Sequence, residues 1–417
     1  MTIRSMVNTF EGREFYRSLF DQKTGILVRE TEWPEEHIDK SSHWRNIPFY
    51  PHLAQYLFKD EIGEMKDYYR NEDTLAQELG SKWKEQFGYR KFAFSPSPET
   101  LDVQVTNWCA FGCSFCYQES TPKEAHGAVE TILGSIKAFD HAPYQVAFGG
   151  GEPTSHPEFA SILEETRLLG SVPNYTTAGQ PWAESKNEKL LKNLVDATVK
   201  NCGGVALTYH SWKGDEYFVK AYQAMRETLT GLQLNVHLVC DKDADTRLEQ
   251  LVYLADKHNL GRLNIVLLAY LPVGRGSWES ILPKKVFNHT FPVALQKAVD
   301  KKHLIAYSEG MLPYFVSRPE LPIVTKGAEI SEGIYSAYID KDGVMTRSSF
   351  EGSDANNPSL EKGDLQAGWS TNTELGNNRV AFSWDNDYTV CDTCEYKDRC
   401  GPCHDVAYFM CSKVGFE

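Results

Sequence analysis

Between Leu101 and His303 the chain alternates strand-like and helix-like segments, and that rhythm restricts it to few folds. The strand-like stretches are LDVQVTN (101–107), YQVAFGGGEP (144–153), NYTTAG (174–179), GGVALTYHS (203–211), LNVHLVCD (234–241) and LNIVLLAYLPVGRG (263–276). Helical stretches follow them in turn, at 129–141, 156–170, 187–200, 217–232, 246–261 and 292–303. Six βα units of this length predict a parallel sheet with helices outside. Right-handed crossovers curl such a sheet into a barrel or part of one. The expected fold class is therefore α/β, a partial (β/α)6 TIM-like barrel over residues 101–310. Ligands of such folds sit at the C-terminal ends of the strands.

The flanks break the rhythm. Residues 1–100 read as a mixed α/β accessory region. KTGILVRE (23–30) is a turn into a strand, DTLAQELGSKWKEQFG (73–88) a capped helix, and FSPSPET (94–100) a linker. Past residue 310, SAYIDKDGVMTRSSF (336–350) predicts a hairpin turning at Asp-Gly. Residues 311–417 are expected to form a small C-terminal domain ending in a cysteine-rich segment.

Charge and cysteine usage narrow the class. A net charge of −14 argues against a general nucleic-acid binder. No run of 18 apolar residues predicts a membrane span, and the N-terminus lacks an apolar signal segment, so a cytoplasmic location is expected. There the ten cysteines are expected to serve as metal ligands or buried thiols rather than disulfides. Cys202 and Cys240 stand alone beside predicted strands and read as buried structural thiols.

The other eight cluster. Cys109, Cys113 and Cys116 lie in the loop after the first barrel strand, with Tyr117 directly behind them. A structural zinc site wants four closed ligands, and only His126 or His141 is near in sequence to supply a fourth. An iron–sulfur cluster held by three cysteines leaves one iron free to bind something else.

Cys-x3-Cys-x2-Cys plus an aromatic, after the first strand of a βα repeat, resembles the radical S-adenosylmethionine (SAM) superfamily. The resemblance implies a [4Fe–4S] cluster on Cys109, Cys113 and Cys116, whose open iron binds SAM and whose electron cleaves it to a 5′-deoxyadenosyl radical. It also implies a set of SAM contacts. Gly150, Gly151 and Glu152 of GGGEP match the family's Gly-Gly-Glu turn, with Glu152 offering a carboxylate to the SAM ammonium. Thr176 and Thr177 stand in the place of a Thr-Asn-Gly stretch, with Ala178 replacing the usual Asn. Thr208 matches a hydroxyl position on the fourth strand, where His210 is nearby. Leu271 opens the LPVGRG turn that supports adenine through its backbone, and Tyr117 flanks adenine.

The C-terminal segment gives Cys391-x2-Cys394-x5-Cys400-x2-Cys403-x7-Cys411. By spacing alone it is a zinc or iron–sulfur site. It resembles the SPASM extension of radical SAM enzymes, although the family has a wider fourth gap. The two cysteines of that extension's first cluster are missing, Arg347, Ser348 and Ser349 standing after the hairpin instead. The resemblance implies one auxiliary [4Fe–4S] cluster on Cys391, Cys394 and Cys400, completed by Cys411 or by Cys403.

The resemblance implies SAM cleavage with modification of a peptide or protein, as in ribosomal-peptide maturases that form crosslinks or carry out related C–H functionalisation. Flavodoxin or ferredoxin would be the reductant, and residues 1–100 would serve substrate recognition. The alternatives are a small-molecule or nucleoside substrate, or a zinc-binding scaffold without catalysis.

Overall fold

The structure is a computed structural model that describes residues 3–10, 13–31, 43–45 and 95–369, except 186, 312–313, 316–320, 322–331, 334 and 354. The predicted helix at 73–88 and all five C-terminal cysteines lie outside the described residues.

The barrel begins with β5 (Thr100–Thr106), and the strands β6 (Gln145–Gly150), β7 (Val172–Thr177), β8 (Gly204–Thr208), β9 (Gln233–Cys240), β10 (Asn264–Ala269) and β11 (Leu304–Tyr307) follow in spatial order. Each pairs in parallel with the next. The helices α1 (Val129–Lys137), α2 (Phe159–Leu168), α3 (Gln180–Glu184), α4 (Glu188–Asn201), α5 (Asp215–Thr228), α6 (Ala244–Lys257) and α7 (Phe291–Asp300) fall in the crossovers. The six expected units are present, and β11 adds a further parallel strand.

The strand pleat separates two environments. On β5, Leu101, Val103 and Val105 are buried in one core with Ile132 and Ile136 of α1 and Phe159 and Ile162 of α2. Phe159 meets Phe148 of β6 and Tyr175 of β7 edge-on, with ring centroids 6.0 and 5.1 Å away. Burying each such ring contributes ~1.5–3 kcal/mol. The opposite faces carry Asp102 and Gln104, Asn174 and Thr176, Asn235 and His237, beside Val266 and Leu268 of β10, so the concave side mixes polar with apolar groups. Cys202 and Cys240 are buried, and burial pushes both thiols up.

The hairpin predicted after residue 336 is formed by β12 (Ser336–Ile339) and β13 (Met345–Thr346). It does not stand apart. β12 pairs in parallel with β5, extending the barrel sheet at that edge. A short helix, α8 (Leu365–Trp369), follows, and the Trp369 indole donates to the Ser95 carbonyl.

The N-terminal region contributes an antiparallel sheet of β1 (Ile3–Phe10), β2 (Arg13–Asp21), β3 (Leu27–Thr31) and β4 (His43–Arg45). It docks where the barrel strands begin. Arg4 donates to the carbonyls of Ala142, Pro143 and Gly170, and Phe20 stacks on Tyr144 at 5.1 Å. Arg29 forms a buried ion pair with Glu99, 2.5 Å away, and the Tyr16 hydroxyl donates to the same carboxylate. Burial pulls the Arg29 pKa down, but Glu99 outweighs it and holds the guanidinium above its ordinary value.

Candidate active site

The cysteine loop leaves β5 at Thr106 and is pinned from its first residue. The Thr106 hydroxyl accepts the Trp108 N–H at 2.9 Å and meets His126 Nδ1 at 2.8 Å. The Cys109 N–H donates to the Thr121 carbonyl, and the Cys116 N–H donates to the Cys113 carbonyl, which closes a tight turn. All three thiols are half-buried. Burial raises the Cys109 pKa and lifts that of Cys113 to about 12, and the neighbouring thiols push the same way. Raised in this way, Cys109 and Cys113 favour the protonated form, and binding a metal would displace their protons.

A second loop clamps the first. After β10 the chain runs through Leu271–Gly276, and Arg275 reaches into the cysteine loop at three points. Its backbone N–H donates to the Cys116 carbonyl at 3.1 Å. Its Nε donates to the Cys113 carbonyl at 2.9 Å and its Nη1 to the Ser120 carbonyl at 3.0 Å. Gly274, at φ 58°, lies so close to the Tyr117 and Cys116 carbonyls that any side chain there would collide. Sequence reasoning quoted this loop for adenine and missed Arg275. The signal was a lone cation between two glycines at a strand end.

The Gly-Gly-Glu turn lies against the same loop. The Gly151 N–H donates to the Thr106 carbonyl at 2.7 Å, and the Glu152 N–H to the Trp108 carbonyl at 2.9 Å. A Cβ on Gly150 or Gly151 would strike the Thr106 or Trp108 carbonyl, and Gly150 sits at φ 113°. Glu152 is buried and heavily engaged. Its Oε1 accepts from the Thr154 N–H, the Thr154 hydroxyl and the Thr177 hydroxyl, and its Oε2 from the Ala178 N–H at 2.8 Å. Burial raises its pKa while these donors oppose the rise. Glu152 thus ties the turn after β6 to the end of β7, and Oε2 keeps the freer lone pairs.

The remaining predicted residues spread along the rim. Thr177 is spent on Glu152, whereas Thr176 lies on the concave face. Thr208 ends β8 in register with His237 of β9, both half-buried. Leu271 is buried at the entry to the Arg275 loop. The Tyr117 ring packs on Phe350 at 4.5 Å, beyond the hairpin, and its hydroxyl accepts from Gln118 Nε2. His126 faces Thr106 and His156, and His141 bonds Ser97 through its backbone N–H.

Two concave-face residues went unnamed in the sequence reading. Asp102 is open to the lumen yet ringed by protein, and this burial raises its pKa to about 6. On β9, burial lowers the His237 pKa to about 4 and keeps the ring neutral. Their signal was polar alternation in strands whose other face is fully apolar.

The donor set fits an iron–sulfur cluster. Three soft thiolates on one loop supply three ligands and leave a fourth position to a guest. Among the described residues, no three His, Cys, Asp or Glu side chains converge as ligands of a single ion would. Thiolates that each bind a different iron have no need to converge.

The chain is similar in sequence and fold to several known proteins. Residues 103–213 match the Radical SAM superfamily model. Over 205 residues the chain is 23% identical to a PqqA peptide cyclase of Gluconobacter oxydans (strain 621H), covering 46% of this chain and 55% of that protein. A PqqA peptide cyclase of Streptomyces rochei is 23% identical over 197 residues, covering 45% of this chain and 53% of its own. The chain thus spans about half the length of these relatives. The crystal structure of Streptococcus suis SuiB bound to precursor peptide SuiA superposes with a TM-score of 0.62 at 15% identity, covering 99% of this chain and 97% of that one. Native anSMEcpe with bound AdoMet and Cp18Cys peptide gives 0.53 at 14%, covering 73% and 89%. At such identities the structures share the fold. The matched segment holds the three-thiol loop, the Gly-Gly-Glu turn and strand β8, so the part of the chain that carries these features is similar to the radical SAM superfamily.

Proposed function

We propose that the chain is a radical SAM enzyme that modifies a peptide substrate. The observation that carries this is the meeting of three loops at one rim: the thiols after β5, the Gly-Gly-Glu turn after β6 and the Arg275 clamp after β10. Cys109, Cys113 and Cys116 would hold a [4Fe–4S] cluster, and Gly150, Gly151, Glu152, Thr176, Thr208, Leu271 and Tyr117 would line the place for SAM. When bound, the pair supplies one electron and a hydrogen-abstracting radical made by reductive cleavage of SAM.

The chain's own residues prepare that place. Arg275 and Thr106 fix the backbone of the thiol loop, and Glu152 fixes the turn that faces it. On the concave face below, Asp102, Asn174, Asn235 and His237 offer polar groups that can hydrogen-bond a peptide. A peptide is favoured because the PqqA peptide cyclases and the SuiB–SuiA complex are named for peptides. The C-terminal Cys391, Cys394 and Cys400, with Cys403 or Cys411, would hold one auxiliary cluster. Loaded protein would then contain about eight irons rather than about four.

Anaerobically reconstituted protein given SAM and a strong reductant, such as reduced flavodoxin, should release 5′-deoxyadenosine. Cys113→Ala should abolish that release. Mass spectrometry of candidate precursor peptides should then show a product lighter by two hydrogens for a crosslink. Iron-loaded protein that leaves SAM intact under these conditions overturns the proposal.

A further inference from the structure

We propose that His210 sets the reduction potential of the metal centre on the thiol loop by donating its Nδ1–H to Cys113 Sγ. The inference rests on the reading above that those thiols ligate an iron–sulfur cluster. His210 follows β8 and is only 7% exposed. Its Nδ1 lies 3.8 Å from Cys113 Sγ, at the long end of hydrogen-bond separations to sulfur, and the tautomer that carries its proton on Nδ1 makes it the donor.

The ring cannot easily turn away. Phe111 stacks on one part of it at 5.5 Å and 27°, and Phe115 at 6.1 Å and 15°. Both phenylalanines belong to the cysteine loop, so the loop that carries the thiols also grips the imidazole. Trp212 closes on it at 5.7 Å. The backbone is held as well, because the Tyr209 N–H donates to the His237 carbonyl and the His210 carbonyl accepts the Lys213 N–H.

A thiolate on iron carries negative charge, and reduction adds more. A hydrogen bond to the sulfur stabilises the more negative, reduced state and raises the potential. Cys109 receives the Phe111 backbone N–H at 3.5 Å, a donor that no side-chain exchange removes. His210 is therefore the adjustable donor among the contacts described here. It acts through Cys113, which makes it a positioning residue rather than a catalytic one.

The test uses the full chain, reconstituted anaerobically. The SAM-perturbed EPR signal identifies the cluster on the thiol loop, and its midpoint potential is followed in wild type, His210→Phe and His210→Asn. Phe keeps the aromatic packing and loses the donor, so its midpoint should become more negative. Asn places an N–H close to the Nδ1 position and should return the midpoint towards wild type. In protein labelled with 15N-histidine, pulsed EPR should show a histidine nitrogen coupled to that cluster in wild type and lost in both variants. An unshifted potential in loaded His210→Phe overturns the inference. If that variant fails to load, the absence of histidine coupling in wild type overturns it, and its presence supports it. Wild-type protein that assembles no cluster overturns the proposed function itself, and the role of His210 falls with it.

Discussion

Asp102 shows how one lumen side chain reports its surroundings. In the unfolded chain its carboxyl titrates near 3.8, but in the folded chain burial holds the proton to about pH 6. Between those values the folded chain binds more protons. Stability therefore falls as pH rises through that window and stays lower above it. Asp102→Asn removes the fall. Variant and wild type should match at or below pH 4, and the variant should be more stable at pH 7. The gain should stay within about 1 kcal/mol, because the open lumen screens the charge. Urea unfolding at several pH values measures this, and parallel stability curves for the two proteins would contradict the assignment. Glu152 differs, although it is also buried, because four donors share the task of holding it. The motif placed Glu152 correctly at the turn, but only the fold shows that it ties two strand ends together. Thr177 and Ala178 become its partners because β7 neighbours β6, and a single sequence does not state which strands are neighbours.

At the scale of elements, the alternation of apolar segments was enough to read the six βα units, since each pairs a buried strand face with an amphipathic helix. β11 escaped notice because Leu304–Tyr307 is four residues long and directly follows Lys301, Lys302 and His303. β1 and β2 escaped for a different reason. The buried side of β2 includes Ser18 as well as Tyr16 and Phe20, and β1 faces the barrel with Arg4, so neither shows clean alternation. The thiol loop was legible through its cysteines, whereas its clamp was not, because Arg275 lies 162 residues from Cys113. Arg275→Ala removes two side-chain hydrogen bonds to loop carbonyls, each worth ~0.5–1.5 kcal/mol or more from a charged donor. The fold should survive, since β10 is unaffected. Iron content after gel filtration should fall well below wild type, with bound iron lost faster to a chelator. Equal retention would show that the clamp is dispensable.

For the whole molecule, the Arg29–Glu99 pair decides whether the N-terminal sheet and the barrel behave as one body. Both side chains are buried, so removing one leaves the other charged and desolvated. Glu99→Gln or Arg29→Met alone should cost ~3–5 kcal/mol. The double substitution should cost less than the sum, because neither charge is then stranded. Thermal unfolding gives the totals, and hydrogen exchange of the β1 and β2 amides should show that protection is lost there first. Strictly additive losses would mean that the pair is not coupled. The interface lies where the strands begin, and the thiols lie where they end. β5 is seven residues long, which at ~3.3 Å per residue separates the two by about 20 Å. If the proposed peptide were held at the N-terminal sheet, the barrel would act as a ruler: only a residue at least six or so extended positions further along could reach the thiol loop. Shortening the spacer in such a peptide would strand its target below the rim, however tightly the grip held.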